Sequence, residues 1–158
     1  MKKRIIFTIL VLMLLLTSIS LAWRETEISK KVPLPLKIQI TPPDPGLPKE
    51  IATFSGRWEG TWEAVTATDS ILIVEKIDQK KARVIYAVGP FLGTRGDYFH
   101  YSAKIIQGVK LKLEFWSQYS RFVFEIGEDL KTLNGTREAI DVRYQYKDKI
   151  KMEKIEEE

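Results

Sequence analysis

The side chains best suited to chemistry in this chain are aromatic, and most of them stand at alternate positions. Flat apolar side chains of this kind can line a pocket for a small apolar or amphipathic molecule. They can equally fill the centre of a small barrel, because about eight strands enclose little free volume. Both interpretations stay open from the sequence. The residues that we expect to line such a pocket are Trp62, Tyr86, Phe99, Tyr101 and Phe115.

A second aromatic pair falls outside this apolar alternation. Trp116 shares the polar face of its segment with lysine and glutamate side chains, and Tyr119 follows in a turn. Exposed aromatic side chains beside a turn can stack on sugar rings or form a patch for another protein. We therefore predict a surface patch at Trp116 and Tyr119. Cover by the N-terminal part of the chain would explain the pair equally well.

Residues for catalysis are sparse. The chain has one histidine, His100, and no cysteine, which excludes a cysteine nucleophile, a disulfide frame and a thiolate metal site. A Gly-x-Ser-x-Gly motif is also missing. Glu59 and Glu63 are of the residue type that glycosidases use, but we expect both on the solvated face of a strand. We predict a non-catalytic protein without metal or cofactor, and an enzyme is only a third alternative.

From residue 54 onward the sequence has the period-two alternation of strands. Its first segment places Phe54, Gly56, Trp58 and Trp62 on one face, and seven more segments follow, separated by turns and by a glycine-rich loop over residues 89–97. The last segment, residues 146–155, has a composition that also permits a short helix. Consecutive hairpins close most simply into an all-β, antiparallel up-and-down barrel of about eight strands, and a β-sandwich is the alternative.

Gly56-Arg57-Trp58, at the head of this meander, resembles the Gly-x-Trp signature of lipocalins and the wider calycin barrels. The resemblance covers the whole predicted barrel, which looks like the compact lipocalin-like domains of bacteria. It implies that Gly56 and Trp58 are structural, and that Trp58 packs at the closed end against an arginine of a late strand. Arg137 and Arg143 are both candidates. The chain departs from the family in its shorter length and in lacking the later motifs, the C-terminal helix and the disulfide.

The N-terminal segment has the pattern of a secretory signal. A basic start at residues 2–4 precedes an apolar run, and the small side chains of Ser20 and Ala22 predict cleavage before Trp23. We therefore expect export to the periplasm or the exterior. An uncleaved inner-membrane anchor is the alternative, and it also leaves the rest of the chain outside.

The basic character of the chain belongs mainly to this signal. The formal net charge is +4, but without residues 2–4 the chain carries 22 basic and 21 acidic side chains. A nearly neutral protein has no strong attraction for phosphate backbones. We therefore predict no nucleic-acid partner.

Between the signal and the barrel lies a proline-rich segment with six of the seven prolines of the chain. Proline favours extended conformations, so we divide the chain into a signal peptide (residues 1–22), a linker (residues 23–50) and a barrel domain (residues 51–158). The linker is predicted to be a spacer or a docking peptide for an envelope protein. Residues 34–40 could add a short edge strand to the barrel.

These features together predict an extracytoplasmic, non-catalytic lipocalin-like barrel that binds a small apolar or amphipathic ligand. The alternative is an envelope module that contacts another protein or a glycan, either through the linker or through the patch at Trp116 and Tyr119.

Overall fold

The computed structural model describes residues 25–64 and 67–156. Eight antiparallel strands pair in chain order, and β1 also pairs with β8, so the sheet closes into a barrel. The predicted barrel is confirmed and the sandwich alternative is wrong. The elements are a short helix α1 (Lys49–Ala52) and the strands β1 (Gly56–Glu63), β2 (Thr68–Ile77), β3 (Lys81–Val88), β4 (Asp97–Ile106), β5 (Lys112–Trp116), β6 (Ser120–Ile126), β7 (Thr132–Ala139) and β8 (Lys147–Ile155).

Strand positions follow the predicted alternation closely. Residues 147–155 form a strand rather than a helix, and β5 begins at Lys112, later than its apolar alternation suggests. The predicted signal peptide and its cleavage site lie outside the described residues. Within the described residues, no helix is both long and apolar enough to span a membrane.

The end of the barrel at which β1 begins is closed by α1 and the turn that follows it. Ile51 and Phe54 belong to the apolar core there, and the Trp58 indole N–H donates to the Phe54 carbonyl at 2.8 Å. Gly56 has a φ of 110°, a conformation that glycine adopts far more readily than other residues. Gly56 and Trp58 therefore shape the entry into the first strand.

The cation beside Trp58 differs from the one that the family resemblance implies. The Lys154 ammonium of β8 lies 5.0 Å from the centre of the Trp58 ring. Arg137 lies over Trp62 instead, and Arg143 lies over Tyr144. Both arginine candidates for Trp58 are therefore wrong, because β8 brings a lysine to that position in the barrel.

The proline-rich segment packs on the outside of the barrel. Apolar side chains of residues 28–40, which we call the cover, lie against outward-facing side chains of β2 and β3. The cluster consists of Val32, Ile71, Ile73, Ile85 and Ala87 together with Ile28, Leu34, Ile38 and Ile40. Residues 34–40 form no strand; the first backbone bond to the barrel beyond them runs from the Thr41 N–H to the Glu75 carbonyl, at 2.7 Å. β2 and β3 are thus apolar on both faces because both faces are covered.

The same N-terminal segment changes the environment of Glu59. This side chain is 5% exposed, forms an ion pair with Arg57, and accepts a 2.5 Å hydrogen bond from the Thr26 hydroxyl. The expectation of a solvated Glu59 is therefore wrong, whereas Glu63 is exposed as predicted. A carboxylate buried in this way requires partners, since an isolated buried charge is costly.

Candidate binding site

Three of the five predicted pocket residues lie in a filled core. Trp62 is 1% exposed, and Tyr86 and Phe115 are also buried. The Trp62 indole N–H donates to the Tyr86 hydroxyl at 2.7 Å, and that hydroxyl donates to the Ser70 hydroxyl at 3.2 Å. Burial raises the pKa of Tyr86 to about 12, although both hydrogen bonds oppose this shift. These rings are packed together in the centre of the barrel.

The Arg137 side chain packs against this core. The Arg137 guanidinium lies 5.0 Å from the centre of the Trp62 ring, and its Nε donates to Asp148 at 3.1 Å. A guanidinium on an indole face is an attractive contact. Arg137 is thus part of the packing around Trp62, a role that its position in a strand with mixed polar and apolar residues did not indicate.

The other two predicted pocket residues extend the core towards solvent. Four rings stack in sequence and form what we call the ladder: Phe99, Tyr101, Phe115 and Phe122. The centroid distances along it are 6.3, 5.1 and 4.9 Å, and the angles between ring planes are 28°, 18° and 16°. Phe115 is fully buried, whereas Phe99 is 43% exposed. The ladder therefore connects the centre of the barrel with its surface.

The exposed end of the ladder lies where the barrel wall is incomplete. β4 pairs with β3 over residues 97–104, but its pairing with β5 is limited to Lys104, Ile105 and Ile106. The Lys104 ammonium lies 5.2 Å from the centre of the Trp116 ring, at the point where the two strands separate. We call the gap between residues 97–103 and Trp116 the opening. It is bounded by aromatic side chains on both sides.

Trp116 and Tyr119, which were predicted to form one surface patch, lie at two different sites. Trp116 stands at the edge of the opening, whereas Tyr119 lines a separate groove of about 480 Å³. Ile140, Asp141, Tyr144 and Tyr146 line the same groove. The sequence did not indicate that Tyr144 and Tyr146 share a groove with Tyr119, because local periodicity does not show which side chains of separate segments face each other.

Residues 98–103 of β4, which border the opening, carry one histidine and no formally charged side chain. His100 lies on the outer face of β4, and its ring contacts Tyr98 edge-on at 6.1 Å. Among residues 25–64 and 67–156, no cluster of three or more histidine, cysteine, aspartate or glutamate side chains could hold a metal ion. The aromatic rings around the opening are suited to contact with an apolar group.

No protein-family model, curated protein or solved structure matches the chain. The fold and the site define its class: an eight-stranded antiparallel β-barrel with a filled core and an aromatic opening between β4 and β5.

Proposed function

We propose that the protein is an exported, non-catalytic binding protein of the lipocalin-like type, whose apolar or amphipathic ligand contacts the opening. The signal-like N-terminal sequence supports export, and the Gly56-Arg57-Trp58 start of a closed eight-stranded barrel supports the family type.

The observation that carries this proposal is the exposed end of the ladder. A planar apolar group placed on Phe99 continues a stack that already runs through Tyr101 into the core. Aromatic pairs contribute about 0.5–1.5 kcal/mol beyond the area they bury. The ligand therefore gains both apolar burial and stacking without any change in the core.

A central pocket is less favourable for the same ligand. Trp62, Tyr86 and Phe115 are packed against one another, and Trp62 and Tyr86 are hydrogen-bonded. A ligand in their place would have to break these contacts. Because protein interiors are packed as densely as organic crystals, inserting a ligand there costs free energy. The opening needs no such displacement.

Titration with 8-anilinonaphthalene-1-sulfonate, an amphipathic aromatic dye, tests the proposal. We expect saturable fluorescence enhancement with the folded protein and about tenfold weaker binding by Phe99→Ala, because the loss of stacking and buried area approaches 1.4 kcal/mol. Tyr144→Ala is the matched control, since it removes an exposed aromatic ring away from the opening. Equal binding by both variants, or no saturable binding, would contradict the proposal. Near-ultraviolet circular dichroism verifies that the core stays packed.

A second candidate function, glycan binding, is favoured by the groove at Tyr119. Its tyrosine faces are apolar and its rim carries the Asp141 carboxylate, a combination that suits the apolar face and hydroxyl edge of a sugar ring. The Tyr146 hydroxyl lies 2.6 Å from the Ser120 hydroxyl, and Arg143 Nε donates to Asp141 at 2.9 Å, so both side chains are held in place. The volume is in the range of about 300–1,000 Å³ typical of small-molecule sites.

Chemical-shift perturbation with chitotriose and maltotriose tests this candidate. We expect shifts at the 140–146 loop that disappear in Tyr119→Ala and persist in Phe99→Ala. Absence of shifts at millimolar sugar removes glycan binding as a candidate and leaves the proposal for the opening untouched.

A further inference from the structure

The β4 side of the opening is an unpaired strand edge. Alternate residues of an antiparallel strand direct their N–H and C=O groups to opposite edges. The Ile105 N–H donates to the Lys80 carbonyl, at 2.8 Å, on the β3 side. Residues of the same parity in β4 therefore bond to β3, and His100 and Ser102 direct their backbone groups into the opening.

The β5 side offers a matching group. Glu114 pairs with Lys104, so Trp116, two residues further along, also directs its backbone towards β4. His100, Ser102 and Trp116 are not part of any β4–β5 pair in the described chain. The opening thus combines free backbone donors and acceptors with the apolar end of the ladder.

The edge also lacks the usual protection against strand pairing. Natural edges are commonly blunted by charged side chains, proline or a covering segment. Residues 98–103 of β4 carry no formally charged side chain, and each of residues 98–102 is at least partly exposed. A charge-free, exposed edge of this length favours an uncharged strand.

We propose, building on the ligand role of the opening, that its ligand is a single extended peptide segment of another protein, which adds to the β4 edge as a strand. Side chains of such a strand alternate between two faces. One set lies on Phe99 and Tyr101, and the other faces solvent beside Tyr98 and His100. A small apolar molecule can stack on the exposed end of the ladder, but it leaves the free backbone groups of β4 without hydrogen bonds. A peptide strand can form both the apolar contact and the hydrogen bonds.

The position of Trp116 across the opening favours a single strand as the occupant. Trp116 stands beyond the last β4–β5 pair, and the Lys104 ammonium over its ring marks the inner end of the opening. A β4 edge from a second copy already carries β3 on its other side. A second copy would therefore bring two paired strands to the opening, whereas an isolated segment brings only the one strand that the free edge needs.

The test uses the full chain and a capped peptide of about eight residues, a typical strand length, in which threonine alternates with valine and phenylalanine. The matched control peptide has the same sequence with N-methyl groups on alternate amides, in both possible phases. We expect saturable binding of the unmodified peptide by calorimetry and at least about tenfold weaker binding of one N-methylated phase, because strand addition requires those N–H groups.

Two protein variants locate the contact. His100→Pro removes an N–H that no β3 bond uses, and we expect about tenfold weaker peptide binding. His100→Thr keeps the N–H and the strand preference, so we expect binding within about twofold of the parent. Far-ultraviolet circular dichroism and the thermal midpoint verify the fold; the N-methylated peptides test the same contact without any change in the protein.

The outcomes separate the two proposals. Dye binding at Phe99 with no peptide binding, or equal binding of all peptide forms, overturns strand addition and leaves the ligand role intact. Failure of dye and peptide together overturns both. Concentration-dependent self-association that His100→Pro abolishes would identify a second copy as the occupant and overturn the inference of a separate peptide.

Discussion

The β2–β3 side and the β4–β5 side of the barrel differ in the burial of their outward-facing side chains. Outward-facing Ile71, Ile73 and Ile85 are buried beneath the cover. Outward-facing Tyr98 and His100, one strand further on, are exposed, and the next strand separates from them. An apolar outer face is thus stable on one side because the chain supplies its own extended segment to cover it. On the other side, no such segment among the described residues covers Tyr98 and His100, and both remain in solvent.

The largest expected effect comes from a charge placed under the cover. We expect Ile71→Asp to lower the free energy of unfolding by about 3–5 kcal/mol, because a carboxylate without a partner is buried opposite Glu59. The matched change Tyr98→Asp on the outer face of β4 should cost less than about 1 kcal/mol, since its side chain stays in solvent. Urea denaturation measures both. Equal losses would mean that the two sides do not differ in burial.

A smaller effect is expected at alkaline pH, and it originates on the core-facing side of β3. The pKa of Tyr86 is raised to about 12 by burial, above an unfolded value of about 10. A raised pKa contributes stability that is fully present below pH 10 and is lost as pH rises through the folded value. The free energy of unfolding should therefore fall by about 2–3 kcal/mol between pH 10 and 12.

Urea denaturation across this pH range, compared with Tyr86→Phe, checks that prediction. The variant lacks the titrating hydroxyl, so its loss of stability over the range should be smaller by the same amount. An identical pH dependence in the two proteins would assign the loss to other groups.

The hydrogen bond from the N-terminal segment to Glu59 should contribute less. We expect Thr26→Val to reduce the free energy of unfolding by about 1–2 kcal/mol, because its hydroxyl donates to a buried carboxylate. Thr61→Val removes an exposed hydroxyl that donates to Asp69 at 2.6 Å, and should cost less than about 0.5 kcal/mol. Thermal denaturation of the two variants measures both losses. A larger loss for Thr26→Val than for Thr61→Val would show that the N-terminal segment stabilises the barrel through Glu59.

The smallest effect is measured without any substitution, by amide hydrogen exchange in β4. The N–H groups of Phe99 and Tyr101 face β3 and should be protected, whereas those of His100 and Ser102 face the opening and should exchange quickly. The Ile73 amide beneath the cover provides the protected reference. Uniform protection along β4 would mean that the opening is closed in solution and would contradict the strand-edge argument.

Much of the barrel could be predicted from local pattern alone. The alternation around Trp58 and Trp62 located β1, and the same period located the other strands, because a strand with one buried face must place apolar side chains at every second position. The pocket was predicted less well. Alternation identified Trp62, Tyr86, Phe99, Tyr101 and Phe115 as inward-facing, but it could not say that three are buried in a filled core while Phe99 remains exposed.

The sequence by itself determined the all-β class and the approximate number of strands, since these depend on the period of the side chains. Tertiary structure alone decided three other features: the packing of residues 28–40 on β2 and β3, the placement of Lys154 rather than an arginine on Trp58, and the separation of β4 from β5. The reason is that each depends on contacts between segments far apart in the chain. Local periodicity records which way a side chain faces, but not what it meets there.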